Sequence, residues 1–163
     1  MKESVLTVLL IAVVSMNGCS SASSNCAWDE IYNENECQVA LDREYEVTIN
    51  GADVPTDGSY DAFGGAPDLL VLVGNEEEGC FTPTKSDTFS ASWMSMNRCE
   101  VTVLSGGDMY IVLVDEDVSE HDELVEWHWE GSDDMMDFIL PLDEEQVITK
   151  SGMYVYYTVS PAF

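Results

Sequence analysis

Short segments in which apolar and polar residues alternate constrain the fold of this chain most strongly. Residues 45–49 and 154–159 alternate in this way, and Val101 and Val103 repeat the spacing. A period of two is the spacing of a strand with one face buried. The runs Leu69–Val73 and Met109–Val114 are apolar throughout, which favours strands buried on both faces. Turn residues separate these segments, and the order of short strands predicts an antiparallel sandwich or barrel.

Two further segments are assigned by the same criteria. The apolar residues within 138–142 predict another strand. In 120–129, Leu124, Trp127 and His128 are spaced at i, i+3 and i+4, which fits either one or two helical turns or an irregular loop that enters a strand.

The first residues have the layout of an export signal. An apolar run from Val5 to Val14 is too short to cross a bilayer and matches the apolar core of a signal peptide. Gly18-Cys19 follows, and this junction resembles the lipobox of bacterial lipoproteins, in which the cysteine becomes the lipid-modified N-terminus. The alternative is an ordinary signal that is cleaved near Ala22. We therefore expect a signal peptide over 1–18, lipidation of Cys19 and a serine-rich tether over 19–25.

The charge balance restricts the partners of the exported part. The chain has 32 Asp and Glu against 5 Lys and Arg, a net charge of -27. Such a surface repels nucleic acid and, without a bridging cation, anionic lipid. Because 45% of the residues are hydrophobic, a folded domain is favoured over disorder. A fold under this self-repulsion is expected to gain stability from bound cations.

Four cysteines remain after Cys19, and an even number in an exported chain predicts two disulfides. Proximity along the chain suggests Cys26–Cys37 and Cys80–Cys99, although the sequence allows three pairings. No Cys-x-x-Cys spacing supports a zinc site. We expect a disulfide-closed segment over 26–43 and one sandwich domain over 44–163.

Much of the acid is concentrated in two loops. Asp115 and Asp117 follow an apolar strand at i and i+2, so their side chains point to the same side of an extended chain. Asp122 is a few residues further on, where the loop can turn back. A second acidic loop spans 53–68 and contains the glycines needed for sharp turns. Clustered carboxylates of this kind are typical ligands of calcium, which takes six to eight oxygen atoms.

Residues 44–163 resemble the C2 domains of protein kinase C and synaptotagmin. The first calcium loop of that family is similar to 61–73, the middle segment to Thr82-Pro83-Thr84 and 90–93, the third loop to 115–122, and the last strand to 152–156. Several features differ from the family. Pro67 precedes Asp68 and the tyrosine of that motif is lost, and Ala91 replaces a proline. The third loop is short by about one residue, and little of the basic patch remains beyond Lys85 and Arg98.

This resemblance implies an eight-stranded antiparallel β-sandwich of the C2 type that binds calcium between loops at one end. It also implies binding to phospholipid or a protein partner coupled to that calcium. Asp57 and Asp61 compete for the first ligand position, and Asp122 and Glu123 for the last. The expected ligands are Asp57, Asp61, Asp68, Asp115, Asp117 and Asp122.

The sequence therefore predicts a non-enzymatic calcium-binding lipoprotein of the outer membrane, on its periplasmic or cell-surface side. The alternative is a structural or adhesion protein that does not use calcium. A weak hydrolase that uses His121 is disfavoured, because no zinc-protease motif and no nucleophile elbow is present. Tyr60, Phe63 and Val118 lie in the acidic loops, where they either insert into a partner surface or pack the loop base.

Overall fold

The computed structural model describes residues 30–33, 36–58, 60, 65–93, 98–117 and 121–162. The chain divides into two compact units, Met1–Gln38 and Val39–Phe163. The elements in chain order are β1 (Glu30–Asn33), β2 (Glu36–Val39), β3 (Arg43–Asp53), β4 (Leu69–Gly74), β5 (Gly79–Phe81), β6 (Ser90–Ser92), β7 (Arg98–Val103), β8 (Asp108–Glu116), β9 (His121–Glu130), α1 (Gly131–Ile139), β10 (Glu145–Lys150) and β11 (Met153–Pro161).

Strands β3 to β11 form two antiparallel sheets. The first sheet has the order β10-β11-β3-β6, and β7 also pairs with β3. Strands β6 and β7 pair with successive parts of β3 and so share one position. The second sheet has the order β5-β4-β8-β9. Each sheet therefore has four strand positions, and the predicted eight-stranded sandwich is confirmed.

The alternating apolar residues of the strands form the core of the sandwich. The inward side chains of β3, β4, β8 and β11 are almost fully buried, and neighbouring strands contribute equivalent sets. Each large aliphatic side chain buried in this way contributes roughly 1.5–3 kcal/mol relative to an exposed one. The inward set is Tyr45, Val47, Ile49, Leu69, Val71, Val73, Met109, Ile111, Leu113, Val155, Tyr157 and Val159.

Buried tyrosines in this core keep partners for their hydroxyl groups. The Tyr45 hydroxyl donates to the Ala40 carbonyl at 2.6 Å, and the Tyr157 hydroxyl donates to the Phe138 carbonyl at 3.3 Å. Burial raises the pKa of Tyr45 to about 12, although the Arg43 charge opposes that rise. Both rings therefore stay neutral at physiological pH and behave as apolar core residues with one satisfied polar atom.

The disulfide Cys80–Cys99 links the two sheets at one edge of the sandwich. Cys80 lies on β5 and Cys99 on β7, with a Cα–Cα distance of 5.8 Å. This is the pairing that proximity suggests. Cys37 is also disulfide-bonded. The expected pairing of Cys37 with Cys26 involves a residue outside the described part of the structure.

The segment 138–142 is not a strand, and this prediction was wrong. Phe138 and Ile139 end helix α1, and their side chains are buried together with Met135 and Met136. The spacing i, i+1, i+3 and i+4 is that of one helix face. Two aspartates in the first turn favour the helix through its dipole.

Within the segment 120–129 the described residues from His121 onward form a strand, which corrects the suggestion of helical turns. Strand β9 pairs with β8 from end to end. Val125 and Trp127 are buried and the residues beside them are more exposed, so the period is two. A β-bulge opposite Leu113 and Val114 adds one residue, Leu124, to the strand. Trp127 is buried and His128 is exposed, so the i, i+3, i+4 spacing does not mark a common face. No helix among the residues described here has the length and apolar character needed to cross a bilayer.

The bond between Cys80 and Cys99 is expected to stabilise the sandwich by about 3 kcal/mol, because it closes a loop of moderate length in the unfolded chain. Urea unfolding of the double variant Cys80→Ala, Cys99→Ala measures this loss against the unchanged chain. Cys37→Ala is the matched control, since Cys37 lies in the other compact unit. A loss under about 1 kcal/mol in the double variant would contradict the expectation.

Candidate metal site at the loop end of the sandwich

Strand β8 brings the two acidic loops to the same end of the second sheet. It pairs with β4 so that Leu69 lies opposite Asp115, and with β9 so that Asp115 lies opposite Asp122. Strand β4 therefore begins at the end of the sheet where β8 ends and β9 begins.

Asp115 is the most deeply buried carboxylate of this end, with 0% of the residue exposed. It continues the inward set of β8 after Ile111 and Leu113, so its side chain points between the two sheets. The backbone N–H of Asp68 donates to its Oδ1 at 2.7 Å. The adjoining Glu116 N–H donates to the Asp68 carbonyl at 2.8 Å, which holds the two loops in register.

The carboxylate of Asp68 is held by a third loop. The N–H of Asp87 donates to its Oδ1 at 2.8 Å, and the N–H of Thr88 donates to the Pro67 carbonyl at 3.0 Å. Asp87 has a positive φ of 52°, a conformation that Asp tolerates better than most residues. Sequence reasoning missed Asp87, although Ser86-Asp87 is an ordinary turn signal between β5 and β6.

The register separates the two candidates for the last position of the third loop. Directly opposite residues of an antiparallel pair point to the same face, with Cβ atoms about 4.5–5.5 Å apart. Asp122 lies opposite Asp115, whereas Glu123 lies opposite Val114 and points to the other face. The geometry thus places Asp122, and not Glu123, on the side of the buried carboxylate.

Tyr60 is affected electrostatically by both Asp57 of the first acidic loop and the buried Asp115. Its hydroxyl donates to the Pro55 carbonyl at 2.9 Å, and its ring packs edge-on against Phe89 at 6.0 Å between centroids. Partial burial raises the pKa of Tyr60, and the negative charges of Asp57 and Asp115 raise it further. Asp57 and Asp115 therefore act on the same hydroxyl, which relates the first loop electrostatically to the buried carboxylate.

The other residues that the sequence predicts for the two acidic loops are only partly covered by the structure. Asp117 directly follows β8 and is half-buried. Asp61, Phe63 and Val118 lie outside the described residues. Tyr60 packs at the loop base, as its contact with Phe89 shows. Within the ranges that the structure covers, no three Asp, Glu, His or Cys side chains are grouped closely enough to hold a metal ion by themselves.

The chemistry of the carboxylates nevertheless fits a hard cation. Every candidate ligand is a carboxylate oxygen, the donor that calcium prefers. Among the described residues, neither Asp68 nor Asp122 forms an ion pair with a basic side chain. Arg98, one of the two basic residues near this region, is paired with Glu46 at 3.1 Å and is not available to the loops.

The described histidine contact lies at the opposite end of β8. His128 Nε2 is 3.6 Å from Asp108 Oδ2, at the first residue of that strand. The side chain of His121 is outside the described part of the structure, although its backbone pairs with Glu116.

Comparisons with known proteins identify the fold. No family model matches the chain, and no curated protein sequence matches it. A C2 domain of plant extended synaptotagmin 1 superimposes with a TM-score of 0.53 and 14% identity, over 76% of this chain and 98% of that one. The calcium-bound pair of C2 domains of extended synaptotagmin 2 gives a TM-score of 0.56 and 15% identity, over 74% of this chain and 46% of that one.

Human group IVD cytosolic phospholipase A2 gives a TM-score of 0.53 and 16% identity, over 73% of this chain. The chain spans 17% of that phospholipase. The sandwich therefore has the fold of C2 domains, as its sequence predicts. Identity at this level establishes the fold, and the ligand has to be argued from the residues of this chain.

We expect Asp57→Asn to lower the pKa of Tyr60 toward its ordinary value of 10.0, because one of the charges that oppose the tyrosinate is removed. NMR titration of the tyrosine ring signals measures the shift. Asp53→Asn is the matched control, because Asp53 accepts the hydrogen bond of Tyr156 at 3.0 Å and raises the pKa of that residue instead. An unchanged Tyr60 pKa in Asp57→Asn would show that the first loop does not act on this hydroxyl.

Proposed function

We propose that this chain is a non-enzymatic lipoprotein whose C2-like domain binds calcium at the loop end of the sandwich. Cys19 anchors it in the outer membrane, with the domain on the periplasmic or cell-surface side. The proposed ligands are Asp57 or Asp61, Asp68, Asp115, Asp117 and Asp122. The observation that carries the proposal is the fully buried Asp115, which accepts from the N–H of Asp68 just before β4 and lies opposite Asp122 of β9.

Burial of Asp115 gives the site its electrostatic character. A carboxylate removed from water is costly unless hydrogen bonds or charges compensate it. The Asp68 N–H supplies one hydrogen bond, but the loops around it add further negative charge through Asp57 and Asp122. Bound calcium would cancel this repulsion and accept a phosphate or carboxylate oxygen from a partner. Extended synaptotagmin 2 has been seen with calcium bound on C2 domains of this fold, which supports the choice of ion.

Backbone hydrogen bonds hold the acidic loops in position before any cation binds. Three backbone hydrogen bonds, from Asp68, Asp87 and Glu116, fix the relative positions of the three loops. The partner is then either phospholipid, approached through the cation, or an acidic group on another protein. The high net negative charge makes either contact dependent on the cation.

The second candidate is a structural or adhesion sandwich that does not use calcium. The same hydrogen bonds favour it, because the N–H groups of Asp68 and Asp87 already satisfy oxygens of Asp115 and Asp68. In that case the acidity serves solubility. The two candidates differ in whether calcium stabilises the domain.

Calcium at about 10 mM is expected to raise the melting temperature of the full chain by roughly 5–10 °C relative to EDTA, if its Kd is of the order of 10⁻⁴–10⁻³ M. Asp115→Asn and Asp122→Asn should each remove most of this increase. Calcium should also lower the pKa of Tyr60, because it neutralises the charges that raise that pKa.

Asp42→Asn is the control for the calcium experiment, because Asp42 precedes β3 at the opposite end of the sandwich and its Oδ1 accepts from the Ser105 N–H. This variant should keep the calcium response. Equal melting temperatures in calcium and EDTA, with Asp122→Asn neutral, would establish the second candidate instead.

The anchor is tested separately. Cys19→Ser should prevent incorporation of labelled palmitate and move the protein from the membrane fraction to the soluble fraction. Cys37→Ser retains Cys19 and should stay membrane-bound, which controls for the loss of any cysteine. Membrane association that survives Cys19→Ser would contradict the lipoprotein assignment and leave an ordinary cleaved signal.

A further inference from the structure

The outer face of the second sheet is apolar where an antiparallel sheet of this type usually exposes polar residues. Strand β4 places Leu69, Val71 and Val73 inward, so Leu70 and Leu72 point outward. An antiparallel sheet with one solvated face ordinarily alternates apolar and polar residues. The sequence of β4 shows no such alternation, which indicates that its outer face is adapted to contact.

Neighbouring strands extend this surface. On the outer face, Leu72 lies opposite Phe81 of β5 and Val112 of β8, and Leu70 lies opposite Val114. We define the outer strip as Leu70, Leu72, Phe81, Val112 and Val114. Phe81 has 67% of its surface exposed, Leu72 and Val114 are partly exposed, and Leu70 and Val112 are buried beneath them at 6% and 8%.

Two grooves flank Phe81 on this face. One has a volume of about 400 Å³ and lies between Leu70, Val114 and the segment 82–84. The other has a volume of about 290 Å³ and lies between Leu72, Tyr110 and the turn 75–79. Together they give the strip a concave shape on both sides of an exposed aromatic ring, which suits inserted apolar side chains.

The rim of the outer strip is negatively charged. Glu76, Glu77 and Glu78 border one groove, and Glu116 borders the other. Glu126 lies opposite Val112 on the next strand, where the acidic border ends because the Lys150 ammonium donates to the Glu126 carbonyl at 2.9 Å. Among the described residues that line the two grooves there is no Lys or Arg. The strip is thus an apolar surface inside an acidic border.

We propose that the outer strip binds a cationic segment of another protein, in which apolar side chains alternate with Lys or Arg. The apolar side chains would enter the grooves beside Phe81, and the cations would meet the glutamates of the rim. A second copy of this chain fits poorly, because two surfaces of the same sign would meet in molecules that each carry a charge of -27. This surface lies outside the calcium loops, and its binding does not require the proposed function.

The probe for this proposal is a short synthetic peptide of alternating leucine and lysine, titrated into the full chain in EDTA and followed by fluorescence anisotropy. Phe81→Ser is expected to weaken binding about tenfold, because the exposed ring would be buried by the peptide. The double variant Glu76→Gln, Glu77→Gln should weaken binding several-fold at low salt and make it less sensitive to salt. Tyr154→Ser is the matched control, because Tyr154 is 40% exposed and lies in the first sheet.

Three further measurements distinguish other occupants of the outer strip. A peptide of alternating serine and lysine that binds as tightly would overturn the proposal, since charge alone would then suffice. Equal loss in Tyr154→Ser and Phe81→Ser would do the same. Concentration-dependent sedimentation of the unchanged chain that Phe81→Ser abolishes would assign the strip to a second copy. Binding to phosphatidylcholine vesicles that Phe81→Ser abolishes would assign it to lipid.

Discussion

The pairing of β8 with β4 on one side and β9 on the other determines where the functional groups of this domain lie. It sets Asp115 beside Leu69 and opposite Asp122, and it brings both acidic loops to one end. A one-residue slip would move every side chain of β8 to the other face and would turn Asp115 outward. The buried hydrogen bond from the Asp68 N–H to Asp115 opposes such a slip, so the register and the site support each other.

The stability of the sandwich rests on its core and not on its charges. In the described part of the structure Arg98 pairs with Glu46 and His128 lies 3.6 Å from Asp108, and all four side chains are partly exposed. Exposed pairs of this kind contribute about 0–1 kcal/mol each. The acidic side chains therefore repel one another with little compensation, while the apolar inner faces and the link between Cys80 and Cys99 hold the sheets together. A bound cation would act directly on this repulsion.

The sequence predicts the strands whose faces differ in polarity, such as β3 and β11, because alternation reports burial directly. The prediction of a strand at 138–142 is wrong because a short apolar run fits a helix as well as a strand. The buried Met135 and Met136 complete the apolar face of a helix. The sequence does not predict strand β10, because most of its residues are exposed. The choice between Asp122 and Glu123 depends on the bulge in β9, and Asp87 contributes through its backbone, so neither could be read from residue types.

Strand β8 carries both proposed surfaces, one on each of its faces. Its inward residues end in the buried Asp115, and its outward residues Val112 and Val114 belong to the outer strip and lead to Glu116. The Thr84 hydroxyl donates to the Glu116 carboxylate, which fixes the corner where the strip meets the loops. Because opposite faces of a strand cannot contact the same ligand, the two surfaces are chemically separate. A change in the register or end of β8 would nevertheless alter both surfaces.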